Sequence, residues 1–228
     1  STLSWIPMSY LISSAIFVLI FGQLADIFGR KKLFLLGTLG VVVSSIYASV
    51  ATDVQTLILG RIFQGVCAGM LYSTMFALLS SVYPTDRRGL AFGYAVSAVY
   101  LGLSLGPFVA GWMIDILSWR SAFLLQLPLS FFVLYIGVVE IKTEWKAKKK
   151  IFFDYVGSTL FALFILSNSM MILYQGWVFL LSFGFLSFLF LIGFFKHEKK
   201  VVNPVFDVHS FLSSRIFSMS CLSSMLMY

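Results

Sequence analysis

The sequence predicts an all-α, polytopic membrane protein, a helix bundle with seven complete spans and the start of an eighth. Composition is the first indication, because 60% of the 228 residues are hydrophobic and 11% are charged, whereas about 25% of the residues in a soluble domain are charged. The second indication is the run 155–195, which contains no Asp, Glu, Lys or Arg. As one helix it would be about 60 Å long, twice the thickness of the hydrocarbon core, so it predicts two spans. The alternating strands of about 10 residues that build a membrane β-barrel are not seen.

Further charge-free runs place the other spans, since each run is long enough for about one crossing. The break in the longest run is predicted at Gln175-Gly176-Trp177, where a glycine stands beside an aromatic residue of the kind found at membrane interfaces. Short external connections at 51–55, 112–120 and 174–176 predict that neighbouring helices are antiparallel. The predicted spans are a (3–24), b (33–52), c (56–80), d (89–111), e (121–140), f (153–174), g (176–195) and h, which begins near 214.

Two polar stretches divide these spans into three parts. Lys142–Lys150 follows span e, and Lys196–Asn203 follows span g. The run Lys148–Lys150 is interpreted as a solvated linker that meets anionic headgroups, with a specific partner site as the alternative. Because the chain starts at Ser1 and stops within a predicted helix, we expect it to be a piece of a longer protein. The predicted parts are a five-span bundle over 1–140, a helix pair over 151–196 and the start of a second bundle over 214–228.

The basic residues indicate how the chain is threaded through the membrane. If residue 1 lies outside the cytoplasm and each span crosses once, the external loops contain only Arg120, and Arg61 lies within span c. The remaining fourteen of the 16 lysines and arginines are then cytoplasmic, as the positive-inside rule requires. Membrane topology thus explains the net charge of +7, and no nucleic-acid partner is expected. These fourteen residues are Arg30, Lys31, Lys32, Arg87, Arg88, Lys142, Lys146, Lys148, Lys149, Lys150, Lys196, Lys199, Lys200 and Arg215.

The sequence predicts no catalyst, no cofactor and no metal site. Its two histidines, His197 and His209, lie between spans g and h and are not expected to belong to an acid–base or metal cluster. A membrane-embedded enzyme is therefore the least favoured class of function. The two cysteines, Cys67 and Cys221, fall inside spans and are interpreted as small packing residues without a disulfide.

The connection between spans a and b carries the first candidate functional residues. Gly22 is expected to let a neighbouring helix approach closely, and Gly29 is expected to allow a tight reversal. Asp26 and Arg30 are four residues apart and can pair on one helical turn. A basic cluster alone would indicate only the topology. These residues together with Lys31 predict a loop whose conformation matters.

Span c places a charge inside the membrane. A charge at the bilayer centre costs at least about 2.5–3.5 kcal/mol, so Arg61 requires a buried partner or water. Gln64 and Gly65 follow three and four residues later and share its helical face. The alternative is that Arg61 lies near the external end of the span and extends its guanidinium to the headgroups.

Span d combines glycines with a proline. Gly102 and Gly106 form a small-xxx-small face for close helix contact. Pro107 removes a backbone donor and is expected to kink the helix. A bend packed in this way against another helix would control closure of the helix bundle at its external side.

These three segments resemble the motifs of the major facilitator superfamily. Span c resembles arginine-x-x-glutamine-glycine, with Cys67 where a glycine is usual, and span d resembles an antiporter motif that ends at Gly111, with Ala110 in place of a glycine. The resemblance implies a gating loop between spans a and b, proton coupling at Arg61 and Gln64, and an antiporter kink at Gly102, Gly106, Pro107 and Gly111. The loop motif glycine-x-leucine-x-aspartate-x-x-glycine-arginine-lysine matches Gly22, Leu24, Asp26, Gly29, Arg30 and Lys31.

Other segments resemble the fourteen-helix drug:proton antiporters of that superfamily. Spans f and g would be the helix pair that distinguishes these proteins from twelve-helix members. Span a then corresponds to the second helix, so we expect the first helix, which commonly carries a coupling carboxylate, and most of the C-terminal half to lie outside this sequence. The segments that carry this resemblance are Ser118-Trp119-Arg120-Ser121-Ala122-Phe123, Phe153-Asp154-Tyr155-Val156-Gly157 and Asn203-Pro204.

The resemblance implies multidrug efflux, in which small lipophilic or cationic compounds are exported in exchange for protons by alternating access. The expected partners are a small-molecule substrate, protons and the lipid of a bacterial cytoplasmic membrane, for a protein that is monomeric when complete. The alternatives are an importer or uniporter of another small solute, and an inactive transporter fragment or membrane-bound regulator. An adaptable substrate cavity could be lined by side chains that also suit ordinary helix or lipid contact, namely Tyr10, Tyr72, Met75, Tyr94 and Tyr100.

Overall fold

The computed structural model describes residues 2–147, 152–174 and 176–227, and these residues form helices and irregular connections without a β-strand. The chain divides into two compact units, residues 1–150 and 151–228. The lysine run Lys148–Lys150 and the predicted break residue Gln175 lie outside the described residues.

Seven spans in the described residues are long and apolar enough to cross a bilayer, which confirms the predicted all-α membrane fold. A short 3-10 helix over Thr2–Ser4 precedes the first of them, and span e consists of two consecutive helices. The helices are α1 (Trp5–Phe28), α2 (Arg30–Ser49), α3 (Val54–Val82), α4 (Arg88–Ile116), α5 (Ser121–Leu124), α6 (Gln126–Val139), α7 (Tyr155–Leu173), α8 (Trp177–Glu198), α9 (Val208–Ser213) and α10 (Arg215–Met227).

The first unit is organised around α3. Both α1 and α2 pack along α3, and α2 also contacts α6. Helix α4 contacts α3 and α5 over short stretches and buries one side chain, Ala91. Because lipid chains solvate apolar side chains, an uncovered apolar helix is tolerated inside a bilayer in a way that water would not allow.

Two glycines bring α1 and α3 together. A Cβ atom on Gly65 would stand 2.5 Å from the carbonyl oxygen of Tyr10 and 2.8 Å from the Cβ atom of Ser13. A Cβ atom on Gly69 would stand 3.0 Å from that of Phe17. The spacing of four residues places both glycines on one face of α3, which is the small-xxx-small arrangement by which membrane helices approach closely.

The turn between α1 and α2 is tighter than predicted. The loop expected over Gly22–Lys32 is helical except at Gly29, whose φ of +117° reverses the chain within one residue. The predicted loop is wrong because charged residues mark the membrane surface without ending a helix, whereas a positive φ ends it. The close helix contact expected at Gly22 is also not found among the described residues, since a Cβ atom there would meet nothing within 4 Å.

The predicted boundaries of spans c and d move outward at both ends. Helix α4 continues to Ile116, so the external loop predicted over 112–120 shortens to 117–120. Both α3 and α4 have 29 residues, about 43 Å of helix, which exceeds the hydrocarbon core. Span e is interrupted at Leu125, because Pro128 has no N–H and its ring crowds the carbonyl of Leu124.

A side-chain cap begins α3. The carboxylate of Asp53 accepts hydrogen bonds from the N–H of Thr56 at 2.7 Å and from its hydroxyl at 2.8 Å. This satisfies donors that the first helical turn otherwise leaves without a partner. The same hydrogen bonds, that from the N–H first, hold the pKa of the exposed Asp53 carboxyl below its ordinary value.

The second unit contains the α7–α8 hairpin, whose two helices pack along each other. Gly176, with φ of +145°, precedes α8, and α8 continues past the predicted end at 195 to Glu198. The short helix α9 was not expected from the sequence, and Asp207 caps it by accepting the N–H of Ser210 at 2.9 Å. Hydrogen bonds from the hydroxyl and N–H of Ser210 lower the pKa of the exposed Asp207 carboxyl.

Candidate functional site

Arg61 lies in the third turn of α3, and groups of the protein hold its guanidinium. Nη1 donates to Oε1 of Gln64 at 2.7 Å, and Nε donates to the carbonyl oxygen of Ile6 at 3.4 Å. The guanidinium carbon lies 4.4 Å from the centre of the Tyr10 ring and 5.9 Å from that of Phe123. A cation over an aromatic face gains about 0.5–2 kcal/mol. Among the described residues, no carboxylate is hydrogen-bonded to Arg61.

A chain of hydrogen bonds fixes Gln64. Its Nε2 donates to the hydroxyl oxygen of Ser45 in α2 at 3.1 Å, and Gln126 in α6 donates to the same oxygen. Gln64 and Ser45 are buried, with 3% and 0% of their surfaces exposed. Because the amide nitrogen of Gln64 donates to Ser45, the amide oxygen of Gln64 is directed at Arg61. The network therefore joins the charge on α3 to two other helices.

Residues of three predicted groups line one cavity of about 680 Å³. Arg61 and Gln64 come from the predicted proton-coupling site, Tyr10 and Tyr72 from the predicted substrate cavity, and Gly106 from the predicted kink. A cavity of this size suits a small molecule. Gln126, which the sequence did not indicate, lines it as well.

Two of the five predicted substrate contacts line this cavity and three do not. The two that do, Tyr10 and Tyr72, share a hydrogen bond of 2.9 Å between their hydroxyls. Met75, Tyr94 and Tyr100 are not among the described residues that line the cavity, and Tyr94 is 70% exposed. A substrate contact at these three positions stays a prediction.

Three glycines of α4 are not packed against another helix of the described residues. Added Cβ atoms at Gly102, Gly106 or Gly111 would meet nothing within 4 Å among the described residues. Pro107 lies inside α4, which continues without interruption to Ile116. The expected close contact is therefore not made here, and a closing role for this face stays a prediction.

Arg30 joins three helices at the Gly29 turn. Its Nε and Nη2 donate to Oδ1 of Asp26 at 3.0 and 2.9 Å. Its Nη1 donates to the carbonyl oxygen of Ala77 at 3.2 Å and to the hydroxyl of Ser81 at 3.0 Å, both in α3. Partly exposed ion pairs contribute about 0–1 kcal/mol, so the main effect is to fix the turn relative to α3.

The segment after α6 holds the same turn. Oε1 of Glu144 accepts the N–H of Lys31 at 3.0 Å, and Oε2 accepts the N–H of Lys32 at 3.1 Å. Backbone hydrogen bonds join Arg30 to Trp145 at 2.9 Å and Ala147 to Asp26 at 2.8 Å. A carboxylate at a helix N-terminus satisfies unpaired N–H groups and is attracted by the helix dipole.

The gating, coupling and kink residues lie on the segments that resemble motifs of transporters. The profile of the Major Facilitator Superfamily matches residues 1–227. The chain belongs to the Major Facilitator Superfamily. The resemblance seen in its motifs is thereby confirmed, and this facilitator is a multi-pass membrane protein of a family of transporters.

Curated relatives of this facilitator are bacterial transporters. It is 34% identical to the "Probable actinorhodin transporter" of Streptomyces coelicolor, over 70% of this chain and 28% of that protein. It is 29% identical to the "Multidrug export protein EmrB" of Haemophilus influenzae, over 99% of this chain and 45% of that protein. It is 28% identical to the "Riboflavin transporter RibZ" of Clostridioides difficile, over 71% of this chain and 36% of that protein. The chain thus spans less than half the length of these relatives.

Replacing Glu144 by alanine should loosen the α1–α2 turn of this facilitator. The variant loses both side-chain hydrogen bonds to the N-terminus of α2, and a lost helix cap costs about 0.5–2 kcal/mol. Hydrogen–deuterium exchange at the amides of Lys31 and Lys32 should therefore accelerate about 2- to 30-fold. Glu140→Ala, which removes an exposed carboxylate at the end of α6, is the matched control. Equal exchange in the two variants would contradict a capping role.

Sequence reasoning missed three members of the site, Ser45, Gln126 and Glu144. Gln126 is an uncharged polar side chain in a run without charges, which was a usable signal because polar groups in lipid need partners. The spacing of Gly65 and Gly69 was a similar signal for helix contact. Glu144 offered none, because it lies in a polar linker where carboxylates are common.

Proposed function

We propose that the complete protein is a secondary active multidrug transporter that exports small lipophilic or cationic compounds in exchange for protons by alternating access. The observation that carries this proposal is the cavity lined by Arg61, Gln64 and Gly106, which joins the coupling and antiporter segments. Similarity to a multidrug export protein over nearly the whole chain supports it. The fourteen-helix subfamily and the absence of enzymatic activity are part of the same proposal.

Arg61 acts on a proton without carrying it, because a guanidinium keeps its charge at physiological pH. A fixed positive charge near a carboxylate favours the ionised carboxylate. We infer that a carboxylate elsewhere in the complete protein releases its proton when it approaches Arg61 and binds one when it withdraws. Gln64, held by Ser45, keeps the guanidinium in position for this exchange.

The Gly29 turn is the proposed cytoplasmic gate. Asp26 and Arg30 pair across it, and Arg30 also binds the end of α3. Separating α3 from the turn therefore breaks hydrogen bonds that are all made by one side chain. Gly22 and Lys31 belong to the same proposed element, which would hold one access state closed until substrate and proton shift the balance.

The proposed organisation follows the sequence parts. Residues 1–140 would form five helices of an N-terminal transporter bundle, 151–196 an inserted linker helix pair and 214–228 the start of a C-terminal bundle. The protein would function as a monomer in a bacterial cytoplasmic membrane, with protons and a small-molecule substrate as partners and without nucleic acid. Tyr10, Tyr72, Met75, Tyr94 and Tyr100 are the proposed substrate contacts.

Uptake or uniport of another small solute is the second candidate. It is supported by the similarity to the "Riboflavin transporter RibZ", whose name does not indicate export. An importer would need the same alternating cavity, so geometry alone does not separate the two directions.

Dye transport by the complete protein tests the proposal. Inverted membrane vesicles with an acidic lumen should accumulate a fluorescent lipophilic cation, and a protonophore should abolish the accumulation. Dye uptake that is the same with and without a proton gradient would favour a uniporter. Dye uptake into right-side-out vesicles would favour an importer. No uptake in either orientation would favour an inactive protein.

A further inference from the structure

Three ionisable side chains meet at the base of the α7–α8 hairpin in the second unit. Asp154 caps α7, with Oδ1 accepting the N–H of Gly157 at 2.9 Å. Nε2 of His197 lies 2.9 and 3.1 Å from the two carboxylate oxygens of Asp154. Glu198, the next residue, ends α8. The expectation that His197 belongs to no acid–base cluster is therefore wrong, because Asp154 is distant from it in sequence and adjacent in the fold.

The two carboxylates face each other across Gly157. A Cβ atom on Gly157 would stand 2.4 Å from Oε1 of Glu198 and 2.5 Å from Oδ2 of Asp154, so these oxygens are at most about 5 Å apart. Asp154 and Glu198 are 8% and 3% exposed. Oε1 of Glu198 is buried and has no hydrogen-bond partner among the described residues, which is costly for an acceptor away from water.

A bound proton would remove both the repulsion between the two carboxylates and the lack of a partner for Oε1 of Glu198. Two negative charges this close repel strongly when they are shielded from water. A proton on Oε1 of Glu198 instead removes one of the two charges and provides a donor that can form a charge-assisted hydrogen bond with Oδ2 of Asp154. Among the described residues no group of His, Cys, Asp and Glu has the arrangement of a metal site, so a metal ion is the weaker occupant.

We propose that Asp154, His197 and Glu198 form a proton-binding site, in which the proton is carried on Oε1 of Glu198 and directed at Oδ2 of Asp154. The site controls residues 199–207, the connection between α8 and α9, because Oε2 of Glu198 accepts the N–H of Phe206 at 3.2 Å. When the proton is bound, Glu198 is fixed at the hairpin and the connection is held. When it leaves, Glu198 is repelled by Asp154, so the connection loosens as the pH rises.

The solvent side of Glu198 provides a route for the proton. A cavity of about 760 Å³ between the end of α8 and α9 is lined by Glu198 together with Lys199, Asp207 and His209. Within the part of the chain that the structure describes, these groups, with Asp154 and His197 on the hairpin side, are the charged and titratable groups beside Glu198. The site does not depend on drug export, since every group in it belongs to the hairpin and its connection.

Infrared spectroscopy tests the proton directly. A pH-difference spectrum of the purified protein in lipid should contain the carbonyl band of a buried carboxylic acid. Glu198→Gln should remove this band, and Glu140→Gln, which neutralises an exposed carboxylate, should leave it. A spectrum without the band, or a band that Glu198→Gln leaves intact, would overturn the proposal. Loss of the band on adding sodium or calcium at constant pH would assign the site to a metal cation and overturn it too.

Cysteine labelling tests the link to the connection. Val208, 4% exposed at the start of α9, becomes the reporter as Val208→Cys with Cys67→Ala and Cys221→Ser. Maleimide labelling should rise from acid to alkaline pH about fivefold more than in the same protein with Glu198→Gln, as expected for losing one hydrogen bond. Glutamine accepts the Phe206 N–H and donates to Asp154 at every pH, and the ratio cancels the ionisation of the thiol. Identical pH profiles would refute control of the connection by this proton.

Discussion

Replacing Arg61 by alanine in the complete protein should reduce proton-driven efflux at least about tenfold, the loss expected for a charge-assisted hydrogen bond in the coupling step. The variant removes the charge that Gln64 holds in position and that lies over the ring of Tyr10. It should still insert, because removing a charge from a span lowers the cost of insertion by about 2.5–3.5 kcal/mol. Uphill dye transport in inverted vesicles is the measurement, with protein abundance measured in parallel.

A second assay and a control variant distinguish a loss of proton coupling from a general loss of transport. Downhill dye movement should persist in Arg61→Ala, since the cavity remains while the link to protons is lost. Arg87→Ala removes an exposed arginine that precedes α4 and should transport normally. Full uphill transport by Arg61→Ala would exclude Arg61 from the mechanism, and equal loss of uphill and downhill transport would indicate a structural role only.

Replacing Gly65 by alanine should destabilise the contact between α1 and α3 by about 1–3 kcal/mol, the usual cost of overpacking. The new methyl group would stand 2.5 Å from the backbone oxygen of Tyr10, and backbone has no rotamer by which to move away. The two helices must separate, which also shifts Tyr10 relative to Arg61. The unfolding midpoint of the purified chain should fall by several degrees.

A second glycine of the same unit provides the control. Gly93 in α4 has nothing within 4 Å of the position that a Cβ atom would take among the described residues. Gly93→Ala should therefore leave the midpoint unchanged or raise it slightly, because alanine favours a helix over glycine by about 1 kcal/mol. If both variants lowered the midpoint equally, helix packing at Gly65 would not be the cause.

Much of the fold could be predicted from the sequence because lipid imposes strict rules on each segment separately. A charge-free run of about 20 residues must be a helix, since only a helix satisfies its own backbone in hydrocarbon. The number of spans follows from this rule. The helix ends do not, because the backbone hydrogen bonds of α1 and α8 continue past charged residues at which the predicted spans end.

The candidate site was predicted where its members are neighbours in sequence. Arg61 and Gln64 are three residues apart, and Asp26 and Arg30 are four apart, so helical geometry alone brings each pair together. Both pairs are hydrogen-bonded in the structure. The predicted contacts of Gly102 and Gly106 with another helix depended on a distant partner, and none is found among the described residues.

The sequence by itself determined the seven helices of the described residues that are long and apolar enough to cross a membrane, and it determined the facilitator motifs, because hydropathy and short-range spacing are properties of single segments. The tertiary structure alone decided which distant groups complete those motifs. Ser45, which also binds Gln126, orients Gln64. Glu144 caps the start of α2 at the Gly29 turn, and carboxylate oxygens of Glu198 and Asp154 lie within about 5 Å of each other beside Gly157. Each of these contacts joins polar groups that are far apart in the sequence, and because an unpaired polar group is costly away from water, only the packing of the segments specifies the partner.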